Sequence, residues 1–540
     1  MKSVWVTVGI FAAILGFLIS GDRAYAHGFG ERYDLPIPLN YFLVGGALTV
    51  ALSFVLIGWF IRQNNERSDY VRVNLWQFLL FRLLGRLIAF TVSVLSIILL
   101  ILSIFSGLVG TPSALDNFVP TFVWIIWWVG VGYVVALVGN VWAIANPWQV
   151  IFKYYEKLFI PGRSKYVGIL RWPARLESWP ALIGFVVFAW IENVYTGASS
   201  PASLSILILL YTVYTWVGMF LFGRYIWLKK ADPFFVLFSL FSRFSPTEVR
   251  IENNHKRSEI CLECSSGCQE EIQAYACVDC YECWEISGRD PKYRQFRSFS
   301  FRPWASGLLR GDQVSTSLVV FHITALATVT YDGLSETPVW VSVQTFLWPI
   351  LDPFPGSAIS AIESLGVLCI PLFFAGAYVL ICRYVSILSS RSLRTDAVIH
   401  SFVFALVPIA LVYNLSHYFS FLLITGQQII PLISNPFGCG IGDWSGSICS
   451  VRSLSTADWD LFGTANYKPN IAIVDARFAW ILSVSSIVVG HIISVYIAHV
   501  ISLKRMLNHK LAVRSQYPML VLMVFYTAVS LWIISQPLVN

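Results

Sequence analysis

The sequence predicts an all-α polytopic membrane protein, with about ten transmembrane helices after a cleaved signal peptide. Three observations predict this class. Of the 540 residues, 56% are hydrophobic and only 12% are charged, which is about half the charged fraction of an ordinary soluble domain. Ten apolar stretches are long enough to cross a bilayer, which takes about 20 residues. The basic residues are divided unevenly between the connecting segments, as positive-inside orientation requires.

The N-terminal stretch 1–26 has the pattern of a secretory signal peptide. Lys2 precedes a long apolar run, and Ala24 and Ala26 form a small-x-small cleavage pattern. The other interpretation is an uncleaved first helix. Cleavage would leave His27 at the N-terminus, where the amino group and the imidazole of one residue can bind a copper ion together. His27 is therefore a candidate metal ligand.

The ten predicted spans form two membrane halves, 27–227 and 314–540, on either side of a long polar loop at 228–313. A second long loop, 425–473, follows the eighth span. Trp is abundant, with 21 residues, as the aromatic belts at membrane interfaces need. The spans are 41–62, 83–109, 120–143, 178–196, 203–227, 314–332, 360–384, 397–424, 474–502 and 517–537.

The distribution of Lys and Arg predicts the orientation. Loops assigned to the cytoplasm hold 31 of the 37 basic residues, and the outside segments hold 4. This split places both termini on the periplasmic side of a bacterial inner membrane. The net charge of +7 is then an orientation signal, so the bilayer is the expected partner and nucleic acid is not. The sequence indicates no protein partner.

Six of the ten cysteines lie in the loop 228–313, in the pattern C-x2-C-x3-C followed by C-x2-C-x2-C. The predicted topology puts them in the reducing cytoplasm, where stable disulfides are disfavoured. Thiolates at such spacings can turn toward one ion, so a structural zinc knuckle using four of the six is the first interpretation. An iron–sulfur cluster is the second, and a surface loop without metal is the third. The candidate ligands are Cys261, Cys264, Cys268, Cys277, Cys280 and Cys283.

The outer loop 425–473 carries the remaining pair outside the spans, Cys439 and Cys449. They lie ten residues apart on the predicted oxidising side of the membrane. A disulfide between them is the natural interpretation.

The eighth span carries an unusual polar face. Tyr413 and Asn414 lie four and three residues before His417, so the three share one side of a helix, and Tyr418 follows them. Polar groups inside hydrocarbon are costly unless they face the protein interior or a wet cavity. We expect this span to line a hydrated pocket open to the periplasm.

Other spans supply groups that could join this pocket. His322 and His491 lie well inside the sixth and ninth spans, and Asp332 lies toward the predicted outer end of the sixth. Three histidines that converge from different helices, with His417 among them, could bind a divalent metal. The other interpretation is that each imidazole only hydrogen-bonds a neighbouring helix.

Several motifs resemble those of bacterial inner-membrane proteins of the fenitrothion hydrolase family, and the likeness covers most of the chain. The cysteine-rich loop and the Cys439–Cys449 loop look like departures from that family. The resemblance implies hydrolysis of an apolar phosphotriester. The motifs are His27 to Pro36, Gly139 to Trp142, Asn146 to Trp148, Thr330 to Ser335, Tyr413 to Tyr418, Asp460 to Ala465 and Ser530 to Pro537.

Phosphotriester hydrolysis usually uses a metal that activates water and polarises the phosphoryl oxygen. The family supplies no residue roles, so we assign them from the polar positions in the membrane. His417, His322 and His491 are candidate ligands of an unknown divalent metal, with Asp332 as ligand or base and His417 and Asp332 as the catalytic pair.

Two classes of function fit these features. The first is a membrane-embedded hydrolase of organophosphate triesters, whose lipophilic substrate enters sideways from the bilayer. The second is a transporter or permease for a metal or small solute, since intramembrane titratable groups are common there. A third, an assembly factor, would use the zinc knuckle to bind a partner. Convergence of ligand-type groups favours the first class, and a polar path with two open ends favours the second.

Overall fold

The computed structural model describes residues 38–61, 70–159, 168–252, 264, 276–289, 291–310, 314–352, 357–390, 392–440, 459–506 and 508–536. The expectations for the signal peptide 1–26 and for His27, Cys261, Cys268 and Cys449 fall outside these residues, so they stay predictions.

Ten helices of the described chain are long and apolar enough to cross a membrane. The predicted all-α polytopic class is confirmed, and each predicted span overlaps one of these helices. We label them α1 to α10 in chain order. Their bounds are Leu39–Phe60, Leu79–Val109, Phe118–Leu137, Ala174–Asn193, Pro201–Phe222, Thr316–Ser335, Ala358–Leu388, Thr395–Ser434, Ala476–Arg505 and His509–Ile534.

Local sequence signals explain where several helices begin and end. Ser315 and Asp475 cap α6 and α9, because their side chains accept hydrogen bonds from Leu318 N and Phe478 N. Helix α5 ends at Gly223, whose φ of +87° is a left-handed conformation that glycine adopts without strain.

Helices α6 and α8 lie at the centre of the bundle. In each of them 72% of the most apolar stretch is buried, against 11% in α2. Helix α8 packs mainly on α9, and α6 packs on α4, α7 and α8. Polar side chains on α6 and α8 therefore face protein, which is where membrane proteins place them.

Two further apolar helices were not predicted. Pro233–Ser242 lies in the stretch expected to be a polar loop, yet it is largely buried against α3 and α4. Pro338–Leu351 follows α6 and packs on α7. Shorter helices complete the described chain: Trp142–Ala145, Pro147–Phe159, Arg224–Lys230, Tyr281–Arg289, Pro291–Arg294 and the 3-10 turns Leu75–Gln77, Thr196–Ser199, Ser306–Arg310 and Ile471–Ile473.

A small antiparallel sheet, also not predicted, lies at one end of the bundle. Its strands are β1 (Val73–Asn74), β2 (Thr247–Glu252), β3 (Ala276–Val278) and β4 (Arg297–Phe301), in the order β1-β4-β2-β3. Three strands come from the loop 228–313 and one from the segment before α2. We call this part of the protein the sheet subdomain.

Buried Arg302 joins the sheet subdomain to the bundle. Its guanidinium donates to Glu248 and Asp279, at 3.0 and 3.1 Å, and to the backbone oxygens of Ser242 and Ser245 at the end of the helix Pro233–Ser242. Both Arg302 and Glu248 have side chains with no exposed surface. The sheet is thus tied directly to a helix that packs inside the bundle.

Candidate functional site

The central helices bring the two predicted catalytic residues together. Nε2 of His417 on α8 lies 3.0 Å from Oδ2 of Asp332 on α6. The hydroxyl of Tyr418 donates to the same carboxylate oxygen. His417 and Asp332 expose 17% and 20% of their side chains, so the pair is largely buried but still accessible.

The pair lies at the end of α6 that is distant from the sheet subdomain. Asp332 is 16 residues beyond Thr316, which is about 24 Å along the helix axis. Glu336, exposed just beyond α6, is close enough to His417 and Asp332 to interact with both charges. Polar groups therefore gather in one half of the bundle, as the sequence predicted.

A second carboxyl group adjoins the pair. Glu192 on α4 lies beside Asp332, Tyr418 and the indole of Trp128 on α3. Glu192 was not among the residues predicted for the site. Trp128 carried no signal at all among 21 tryptophans. It belongs to Thr121–Val131, a π-helical segment of α3, and such widened turns are frequent at functional sites.

These groups border a small cavity of about 30 Å³. Its polar lining includes Glu192, Thr328, Asp332, Asn414 and Tyr418. A cavity of this volume holds at least one water molecule, and two to four polar partners are what a buried water needs. Three apolar side chains of the helix Pro233–Ser242 line the same cavity, namely Leu237, Phe238 and Phe241.

A much larger apolar pocket lies next to this cavity. It has a volume of about 830 Å³ and is formed mainly by α2, α3, α4 and α5. Ligand pockets for drug-sized molecules span about 300–1,000 Å³ and are mostly apolar. The pocket thus suits an apolar molecule of moderate size.

Three aromatic rings separate the pocket from the cavity. Trp128 borders the cavity, while Phe188 and Phe234 line the pocket. Their ring centroids lie 4.6 Å apart for Trp128 and Phe188 and 4.9 Å apart for Phe188 and Phe234. We call these three residues the aromatic wall.

The other two membrane histidines do not join the pair. Nδ1 of His322 bonds to the backbone oxygen of Leu318, and Nδ1 of His491 bonds to that of Ile487, each four residues earlier on the same helix. Each Nε2 is buried without a hydrogen-bond partner among the described residues. In the described ranges, His322, His491 and His417 form no common group of ligand atoms, so the donor set does not fit the predicted divalent metal.

His499, a fourth membrane histidine on α9, has a structural role. Its Nε2 lies 2.9 Å from the backbone oxygen of Ile61, and its Nδ1 lies 3.2 Å from Oε1 of Gln516. Both ring nitrogens are used to join α1, α9 and α10.

Thiol groups do converge in the sheet subdomain. The Sγ atoms of Cys264, Cys280 and Cys283 all lie within 4.8 Å of one another, the one such group of three or more metal-ligating side chains in the described part of the chain. Cys277 is buried in the same small core as Cys264 and Cys283. Cys439 is buried in the outer segment, and its pairing with Cys449 stays a prediction.

Comparison with protein-family models, with curated proteins and with solved structures gave no match to this chain. The resemblance to the fenitrothion hydrolase family therefore rests on the sequence motifs alone. What the structure itself supports is a multi-pass membrane protein with a buried acid–base cluster.

Proposed function

We propose that this protein is a membrane-embedded hydrolase of apolar phosphotriesters, in which Asp332 and His417 activate a water molecule. The observation that carries the proposal is the 3.0 Å contact between Nε2 of His417 and Oδ2 of Asp332 beside a cavity of water size. A general base must lie within hydrogen-bond reach of the proton that it removes. Asp332 meets this requirement because it lines the cavity.

In the proposed hydrolysis, three side chains have separate tasks: Asp332, His417 and Tyr418. Water in the cavity attacks phosphorus while the carboxylate of Asp332 accepts its proton, and the bond from phosphorus to the aryl oxygen breaks with its electron pair leaving on the aryl oxide. The imidazole of His417 orients the carboxylate through their 3.0 Å contact, and the proton that Asp332 accepts then leaves to solvent. Tyr418 holds the carboxylate in place through its hydrogen bond.

The apolar pocket supports an apolar substrate class. A lipophilic triester partitions into the bilayer and reaches the pocket sideways from the lipid. Its ester groups fill the space, and its phosphorus approaches the cavity past Trp128. The cavity alone, at about 30 Å³, holds water but not a triester, so the aromatic wall must shift during turnover.

The proposed orientation follows the positive-inside signal. The sheet subdomain faces the bacterial cytoplasm, and the His417–Asp332 pair lies in the periplasmic half of the inner membrane. Both termini are then periplasmic.

The test is release of nitrophenolate from paraoxon and nitrocresolate from fenitrothion by membranes that carry the protein at matched expression. We expect wild-type membranes to release product and His417→Ala membranes to lose the activity. His400→Ala is the matched control, because His400 lies at the start of α8 and bonds Asp396 O and Thr316 Oγ1, away from the site. A wild type without activity, or a fully active His417→Ala variant, would overturn the proposal.

A proton-coupled carrier for a metal or small solute is the second candidate. The observation that favours it is the number of carboxyl groups around His417, since Glu192, Asp332 and Glu336 interact in one cluster. Intramembrane acids of this kind mark proton pathways in transporters. The test adds zinc to proteoliposomes loaded with a pH-sensitive dye. A carrier would couple zinc entry to proton movement and change the dye signal, whereas a hydrolase would leave the signal unchanged.

A further inference from the structure

The thiol group in the sheet subdomain has the geometry of a mononuclear metal site. Strand β3 ends just before Asp279, whose φ of +55° turns the chain sharply. Cys280 follows directly, and Cys283 lies in the first turn of the helix Tyr281–Arg289. Their side chains meet that of Cys264, with Cys264 Sγ 3.7 Å from Cys280 Sγ.

This sulfur–sulfur distance is the one that zinc would impose. Zinc–thiolate bonds are about 2.3 Å long and structural zinc is tetrahedral, so two thiolates on one ion lie roughly 3.8 Å apart. In a four-iron cluster each cysteine binds a different iron, which holds the sulfur atoms farther apart. The three thiols lie within 4.8 Å of one another, so the distances favour one ion.

The surroundings suit a structural ion. Cys264 and Cys283 expose 3% and 0% of their surface, and they pack with Ile251 and Tyr293. Structural zinc sites are closed, whereas catalytic sites keep a position open to solvent. Three thiolates leave one tetrahedral position for a further ligand.

We propose that Cys264, Cys280 and Cys283 bind one zinc ion that fixes the helix Tyr281–Arg289 against the sheet and so docks the sheet subdomain on the bundle. This site is separate from the proposed hydrolase site and does not depend on it. Zinc takes the thiolate forms, so each of the three thiols gives up its proton on binding.

The docking contact is an ion-pair cluster on the same helix. Glu285, two residues after Cys283, lies 3.3 Å from Arg224 Nη1 and 3.4 Å from Lys153 Nζ. Arg224 directly follows Gly223 at the end of α5, its side chain is 2% exposed, and it also pairs with Glu156 at 2.9 Å. A helix held by zinc at its first turn presents Glu285 to this buried arginine.

The experiment measures metal content in the full-length protein purified in detergent. We expect about one zinc per chain by mass spectrometry, with zinc lost in Cys280→Ser and Cys283→Ser. Cys369→Ser is the matched control and should keep its zinc, because Cys369 is exposed on α7, outside the thiol group.

A second measurement uses only the wild type, so it tests the proposal even when the cysteine variants fail to fold. A mercurial reagent that blocks thiols should release the zinc, and the released ion is read with a colorimetric chelator. The same treatment should make trypsin cleave faster at Arg289 and Arg294. Wild-type protein that holds no zinc, that holds iron with a visible iron–sulfur spectrum, or that keeps its zinc after Cys280→Ser and Cys283→Ser would overturn the proposal.

Discussion

Asp332 and His417 lie on different helices, and Oδ2 of the first is 3.0 Å from Nε2 of the second. Tyr418, the next residue after His417, donates to the same oxygen. One carboxylate is thus held by two consecutive residues of α8. This arrangement fixes the position of the carboxylate relative to the cavity that it lines, which is what a general base requires.

Replacing Asp332 with asparagine tests the base directly. Asp332→Asn keeps the size of the side chain but cannot accept a proton from water, so we expect kcat for a nitrophenyl triester to fall by about 10²–10⁴-fold. Asp352→Asn is the comparison, because Asp352 is exposed at the end of the helix Pro338–Leu351 and does not line the cavity. Equal losses in both variants would contradict the role given to Asp332.

Gly333 offers a test of positioning next to the pair. A Cβ at this glycine would lie 2.8 Å from the hydroxyl of Tyr413 and 3.6 Å from Nδ1 of His417. We expect Gly333→Ala to displace α8 slightly and to lower activity by about 10²-fold, the loss that follows a small misplacement of catalytic groups. Gly376→Ala on α7 meets nothing within 4 Å and should keep full activity.

Filling the apolar pocket should weaken substrate binding without touching the chemistry. Leu207 on α5 lines the pocket, and a tryptophan there takes up part of its volume. We expect Leu207→Trp to raise KM about tenfold at nearly constant kcat, the pattern of lost uniform binding. Leu372→Trp is the control, since Leu372 is 71% exposed on α7. A lowered kcat at unchanged KM would argue against this pocket as the substrate site.

Arg302 is predicted to be the most sensitive residue of the sheet subdomain. Truncation removes the nearest charged partner of buried Glu248, which keeps only the Tyr70 hydroxyl and Arg250 at 3.9 Å. Breaking a buried pair in this way costs about 3–5 kcal/mol. Arg394 and Asp396 form the contrasting pair, with side chains 86% and 55% exposed, and such surface pairs contribute about 0–1 kcal/mol. In detergent, we expect Arg302→Ala to lower the melting temperature much more than Arg394→Ala does. Similar melting temperatures for the two variants would contradict the role given to Arg302.

Glu285 should make the docking of the sheet subdomain sensitive to acid. Burial alone would raise its pKa, but Arg224, Lys153 and the Tyr225 hydroxyl together lower the pKa from 4.5 to about 2. A lowered pKa means that the charged form stabilises the fold above about pH 4.5, and that this stabilisation is lost as the pH falls from 4.5 toward 2.

The measurement compares wild type with Glu285→Gln across pH. At about pH 6 the wild type should melt at a higher temperature, and the difference should shrink steadily as the pH approaches about 3, since protonated Glu285 resembles glutamine. Loss of the proposed zinc in acid would affect both proteins alike, so only their difference reports on Glu285. A difference that does not change with pH would contradict the ion-pair role.

The spans were readable from the sequence because length and apolar composition decide whether a segment can cross a bilayer. The helix Pro233–Ser242 was missed because its ten residues are too few for a span and are followed by a polar stretch. Strands β1 and β3 have two and three residues, too few for an alternating pattern to be visible.

The site was only partly predictable for a different reason. Helical spacing placed polar groups on a common face of α8, and the structure brings two of the predicted site residues, His417 and Asp332, into contact. Helical spacing does not show how α6 and α9 are rotated about their own axes. His322 and His491 were therefore expected to lie beside His417 and Asp332. Each instead bonds a carbonyl of its own helix, as a buried imidazole does when no other acceptor is near.

The apolar side chains of Leu237, Phe238 and Phe241 line the cavity beside Asp332. An acid–base cluster inside an energised membrane lies within the transmembrane electric field, which is worth about 2.3 kcal/mol per elementary charge at 100 mV. A continuous chain of water and carboxyl groups there would conduct protons and dissipate that voltage. Under the proposed function and orientation, these apolar side chains would act as an electrical insulator, so that protons exchange with one compartment only and the membrane keeps its proton gradient during turnover.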